Sequence, residues 1–302
     1  MRMTTSKSPN AIARVAYATA QKCLPAYRHI KSPKKFTQHQ LVACLVLKEF
    51  FKKDYRGIVE IIHDSSDLQT IVELEEIPHY TTLQKAAQRL TKKHILDKLI
   101  KEILFLAVKG KIMKKKVHLS AIDGTGLESH HISRYFVKRR DKSARYYQMT
   151  TYTRYPKAGI IADCKTHLIL SGIPTRGPGP DNVHFQKAIM EAKKNISLNI
   201  LTADAGYDSE NAHVFAREQH HIRTIIPPLA GRKTDKLPSS KYRKLMALRF
   251  NKKLYGQRWQ VETVNSMIKR NLGSFLRARS YWSQCREIML RLLTHNIMIV
   301  WG

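Results

Sequence analysis

Acidic residues are scarce in this chain: 23 Asp and Glu stand against 54 Lys and Arg, a formal charge of +31 over 302 residues. Solubility requires far less, and only a polyanion balances such an excess, so nucleic acid is the expected partner. Cysteine is nearly absent. Cys23, Cys44, Cys164 and Cys285 are scattered without a CxxC pair, so neither a zinc site nor a disulfide framework is expected, and they read as reduced, mostly packed thiols. Long apolar runs are missing too. LVACLVL at 41–47 is too short to span a bilayer, and MRMTTSKSPN has no apolar segment resembling a signal peptide, so an intracellular protein with no membrane partner is expected.

What is there is enough to fold: 43% of the residues are apolar, sufficient for the cores of one large or two moderate domains. Residues 1–112 carry helix signals and no convincing strand. Phe36, Thr37, Gln40 and Leu41 stand as a hydrophobic staple around a capping box, a second helix should start near Thr81 with Gln84 in the box position, and a third runs from about Ile95 to Val108 before Gly110 stops it. This half is predicted to be an all-α domain, and IPHYTTLQKAAQRL suits either a helix-turn-helix-like DNA reader or an ordinary bundle.

From 113 to 302 the pattern becomes α/β. VHLSAID, GIIA, HLILSGI, LNILTA and HIRTIIP are β-prone, the second and third joined by the turn-like Asp163–Thr166. Helical stretches are expected near Asp181–Lys194, Asp208–Gln219, Leu254–Leu272 and Gln284–Trp301. GPGP at 177–180 marks a sharp connection, and GRKTDKLPSSKYRK at 231–244 reads as a basic, turn-prone surface insertion within about 228–250.

The chemistry gathers at three acids. In YGQRWQVETVNSMIKR, helical spacing brings Tyr255, Arg258, Glu262 and Lys269 within about 60° of one another, opposite an apolar stripe of Leu254, Val261, Val264, Ile268 and Leu272. Asp123 ends LSAID before Gly124, and Asp204 ends NILTAD, with Asp208 as a candidate cap for the following helix. Each aspartate alone reads as a turn or cap residue. Taken with Glu262 they become three carboxylates whose repulsion and desolvation divalent cations would offset; Mg²⁺ suits such a site because it keeps positions open for water and phosphate oxygens.

IDGTGLE, TADAGYDSE and the Tyr-x2-Arg-x3-Glu-x6-Lys signature together resemble the DDE transposases of prokaryotic insertion sequences, over roughly residues 117–300. The resemblance implies an RNase H-like catalytic domain, a mixed sheet flanked by helices, behind the all-α N-terminal domain. It makes Asp123, Asp204 and Glu262 both the catalytic acids and the metal ligands, holding two Mg²⁺ ions, or Mn²⁺ in their place, for cleavage at element ends and transfer of the freed 3′-OH into target DNA. It further implies a homodimer or higher oligomer on double-stranded DNA in the prokaryotic cytoplasm, at the nucleoid. Some family members carry a large β-rich insertion before the glutamate helix, and the interval from about Pro228 to Leu254 is too short for one.

For DNA contact, Arg258 can bind two phosphate oxygens, Lys269 acts as a point charge, and Tyr255 donates or stacks; the alternative for Arg258 is an ordinary i,i+4 pair with Glu262. Between Ser133 and Tyr147 six basic residues, Arg134, Lys138, Arg139, Arg140 and Arg145 among them, interleave with four aromatics, which suits a backbone-tracking groove or a charged loop. His130 and His131 lack metal spacing, Asp181 reads as a helix N-cap, and His295 and Asn296 read as packing residues. Two further functions compete: an RNase H-like nuclease or resolvase without strand transfer, and a DNA-binding protein without catalysis.

Overall fold

The computed structural model describes residues 5–31, 33–131, 136–140, 149–229 and 237–301. Six helices come first: α1 (Pro9–Cys23), α2 (Gln38–Phe50), α3 (Tyr55–His63), α4 (Ser66–Val72), α5 (Tyr80–Leu90) and α6 (Lys93–Lys109). The α2 start forms the expected capping box: Gln40 N–H donates to the Thr37 hydroxyl at 3.2 Å, and Thr37 N–H donates to Gln40 Oε1 at 2.8 Å. α6 ends at Gly110. α5 departs from expectation. It begins at Tyr80 behind His79 with no side-chain cap, because the Thr81 hydroxyl is engaged by His79 Nδ1 at 2.8 Å.

Strands then enter: β1 (Lys116–Gly126), β2 (Glu128–Ser129), β3 (Phe136–Arg140), β4 (Met149–Thr153), β5 (Tyr155–Asp163) and β6 (Ile169–Gly177). They are followed by α7 (Phe185–Asn195), β7 (Ser197–Thr202), α8 (Glu210–Val214) and β8 (Arg223–Ile225). The chain ends with α9 (Lys241–Leu248), α10 (Lys252–Tyr255), α11 (Trp259–Leu272), β9 (Phe275–Leu276) and α12 (Tyr281–Val300). One mixed sheet has the order β6-β5-β1-β7-β8, antiparallel from β6 to β1 and parallel from β1 to β8. The β5–β6 turn is tied by Asp163, whose carboxylate accepts the N–H groups of Lys165 and Thr166 and the Thr166 hydroxyl.

Neighbouring residues of a strand face opposite ways, which fixes the layers. Ser171 donates to the Ala188 carbonyl of α7, while a Cβ on Gly172 would stand 2.1 Å from Leu292 of α12. So α7 covers one face, and α12 covers the other with α11 beside it. α12 is buried nearly all round because α1, α2 and α6 close over its outer side, and one apolar core runs from the helical half into the sheet. Inside it Arg291, 1% exposed, pairs with Glu49 of α2 and Glu287 and donates to the Gly273 and Phe275 carbonyls. His295 and Asn296 prove to be packing residues: Asn296 bonds both the N–H and the carbonyl of Ile169, and His295 faces the His167 carbonyl at 3.0 Å.

Several local expectations are corrected. The stretch Leu254–Leu272 is two helices, α10 and α11, separated by a 3₁₀ turn at Gly256–Arg258, where glycine weakens helix continuation. Ser209, and not Asp208, caps α8; Asp208 is buried, where it accepts Leu229 N–H and Arg243 Nε, each at 2.8 Å. In the basic insertion, residues 230–236 lie outside the described residues, and from Lys241 the chain is helical. The cysteines are free, with Cys44 and Cys164 buried. Among the described residues no helix is long and apolar enough to cross a membrane.

Candidate active site

Asp123 does not end its strand as expected: β1 continues to Gly126, and Asp123 lies within it opposite Ile160 of β5, just after the buried pair Ala121 and Ile122. Glycine follows it: a Cβ at Gly124 would lie 2.5 Å from Asp181 Oδ1 and 2.8 Å from Lys157 Cε, so a larger residue would displace that pair. The Asp123 carboxylate accepts Asn265 Nδ2 at 3.0 Å and has the Arg258 guanidinium 4.0 Å away. Burial pushes this carboxyl up to about 6; Asp204 and Glu262 add to the rise, while Gly124 N–H and Arg258 oppose it.

Asp204 follows β7, the strand beside β1, and heads a 3₁₀ turn by accepting Gly206 N–H at 2.9 Å. That turn buries Tyr207, whose hydroxyl titrates well above its ordinary range, first through burial and then through Asp181, Asp123 and Asp204. Glu262 projects from the first turn of α11 and is half exposed; its carboxylate is held in a short ion pair by Arg258. The apolar stripe behaves as expected, with Val261, Val264, Ile268 and Leu272 buried beneath.

The three acids therefore reach one electrostatic neighbourhood from three separate elements. They do not form one ligand set: among the described residues no three Cys, His, Asp or Glu side chains stand close enough to share a cation. Arg258 faces Asp123 and grips Glu262, filling the place of counter-ion between those two. The donors remain of the right kind for a hard divalent ion, being carboxylate oxygens, and the burial that raises Asp123, with a smaller push from Asp204 and Glu262, is a cost such an ion would relieve. Asp123, Glu262, Asn265, Ser266, Lys269 and Arg270 line an open cleft of about 480 Å³, room for a phosphate and the groups around it.

The family model of the transposase DDE domain matches residues 117–297, more than half of the chain. The chain belongs to the DDE transposase family. A comparison with curated proteins gives no match. As a family member the chain has a transposase-type function, and DDE transposases act on DNA and generally use divalent metal ions.

Not every DNA contact expected of this transposase gathers at the cleft. Lys269 lines it and Arg258 lies against two of the acids, but Tyr255 ends α10, half-buried with its ring 5.0 Å from Phe250. The 3₁₀ turn separates it from the helix of Glu262, but it stays within electrostatic reach of Arg258. Lys138, Arg139 and Arg140 fall on the backbone of β3, which pairs antiparallel with β4; Arg134 and Arg145 lie outside the described residues.

The motifs passed over three neighbours. Asn265, three residues after Glu262, is one helical turn on and could have been found from that spacing. Asp181, expected as an N-cap, is not one: Pro180 holds that position, and the Asp181 carboxylate pairs with Lys157 at 2.5 Å, behind Gly124. Tyr207 gave no signal beyond its place after Asp204. His130 lies against the Phe275 ring at 4.4 Å, in keeping with a packing role.

Proposed function

We propose that the chain is the transposase of an insertion sequence, with Asp123, Asp204 and Glu262 as the acids that hold divalent ions, Mg²⁺ before Mn²⁺ and two per site. The observation that carries this reading is the cleft where Asp123 and Glu262, remote in sequence, meet beside Asn265 and Lys269, with Asp204 close enough to act on the Asp123 carboxyl. The acids sit on the first strand of the five-stranded sheet, after the fourth, and on a later helix, an order that supports an RNase H-like catalytic half.

When bound, the ions activate the attacking oxygen and stabilise the leaving one. The chain's residues do the rest. Asn265 orients the Asp123 carboxylate, and Arg258, once released from Glu262, binds the phosphate beside the scissile bond together with Lys269. Water adds at phosphorus and the 3′ oxygen leaves as a 3′-OH at the element end. That hydroxyl then attacks a target phosphodiester, displacing another 3′ oxygen, with no covalent bond to the protein. Tyr255, Arg134, Lys138, Arg139, Arg140 and Arg145 follow the DNA backbone, and two or more subunits hold the paired ends.

Replacing Asp123 by Asn is expected to abolish Mg²⁺-dependent cleavage while leaving most of the affinity for duplex DNA. A variant that cuts as well as the parent overturns the assignment. Joined products with the parent enzyme support a transposase; cut ends alone support a nuclease or resolvase, and binding without cutting supports a DNA-binding protein.

A further inference from the structure

At the start of β1, away from the acids, a second concavity of about 530 Å³ is lined by Lys111, Lys114 and Lys116 from one side, Lys165 from the β5–β6 turn, and Gln257 from the 3₁₀ turn. All four lysines are exposed, and among the described residues none has a carboxylate partner. The one acid in the wall, Asp163, is fully engaged by its own turn. Four like charges gathered in one hollow present a concentrated positive surface to a polyanion.

Position gives the hollow its meaning. Gln257 precedes Arg258, which faces Asp123, so the 3₁₀ turn separates the lysines from the acid cleft. Lys116 lies seven residues before Asp123 on the same strand, about 23 Å away at strand spacing. That length matches roughly seven base pairs of B-form duplex. We infer that this lysine hollow is a second DNA-backbone site, gripping the phosphates of duplex DNA roughly seven base pairs from the bond at Asp123. It contributes affinity and sets the direction in which the duplex leaves the acid cleft, with no role in sequence readout.

This inference rests on the DNA-cleaving reading above, and its test separates the two. The variant K111Q/K114Q/K116Q/K165Q, checked for a cooperative melt, is compared with the parent on duplex DNA extending well past both sides of the cut. The slope of log affinity against log salt should fall by about 0.9 per lysine in contact, roughly 3 to 4 for all four. In the parent, ethylation of phosphates about seven base pairs from the cut should weaken binding, and the variant should lose that sensitivity. Parallel salt lines for parent and variant overturn the site. An equal loss on single-stranded and duplex DNA overturns the duplex assignment. A parent whose binding ignores salt overturns the DNA reading itself.

Discussion

Asp123 holds its proton more tightly in the folded chain than in the unfolded one, about 6 against an ordinary 3.8, and this fixes the sign of its effect on stability. Well below the ordinary 3.8 the group is protonated in both states and costs nothing; from there up to about 6 the unfolded chain ionises first, so stability falls as pH rises, by roughly 3 kcal/mol once both are ionised. Asp123→Asn should therefore melt higher than the parent at pH 8 in chelator and level with it well below pH 3.8. Adding Mg²⁺ should raise the melting temperature of the parent and not of the variant. Equal melting temperatures at pH 8 would contradict the burial argument. Arg258 pulls the Asp123 carboxyl down, so Arg258→Gln should move the acid limb of the single-turnover cleavage profile to higher pH as well as slowing the reaction. A profile that keeps its midpoint would show that Arg258 does not act on Asp123.

Among the elements, α12 joins the helical half to the sheet, and it contains a charge where its apolar surroundings would favour none. Arg291 is completely enclosed and answers two carboxylates, Glu49 of α2 and Glu287 one turn back. Lys48 shares Glu49, and Glu287 also takes the N–H groups of Arg277 and Ala278 just after β9. Removing the guanidinium leaves buried acids short of a partner, so Arg291→Met should lower unfolding stability by about 3 to 5 kcal/mol in urea titration. A loss below about 1 kcal/mol would mean that the network is neutral to stability, as some buried pairs are.

For the chain as a whole, the helical half and the α/β half are not packed as strangers. α1, α2 and α6 close over α12, and the apolar core is continuous between them. A fragment of residues 113–302 would expose that side of α12 to water, and we expect it to lose cooperative unfolding by calorimetry and to bind apolar dye, while the full chain does neither. A fragment with a sharp melt would show that the α/β half stands alone.

Much of this was legible along the chain, because it depends on near neighbours. The Thr37–Gln40 box, the stop at Gly110, the five sheet strands and the buried stripe of α11 follow from spacings of two to four residues, and the three acids were visible in family motifs, although β1 runs on past Asp123 to Gly126 because β5 pairs with it there. Other features came from contacts between residues remote in the chain, which no local pattern encodes. The Arg258–Glu262 pair is the i,i+4 alternative already visible in the sequence, but the approach of Arg258 to Asp123 depends on β1 packing against the turn before α11. Asp181 belongs to Lys157 only because β5 runs beside β1, and the lysine hollow exists only where a hairpin tip, a strand start and the turn before α11 meet. Local energetics set the elements; burial and the pairing of charges across the fold set which side chains share a site.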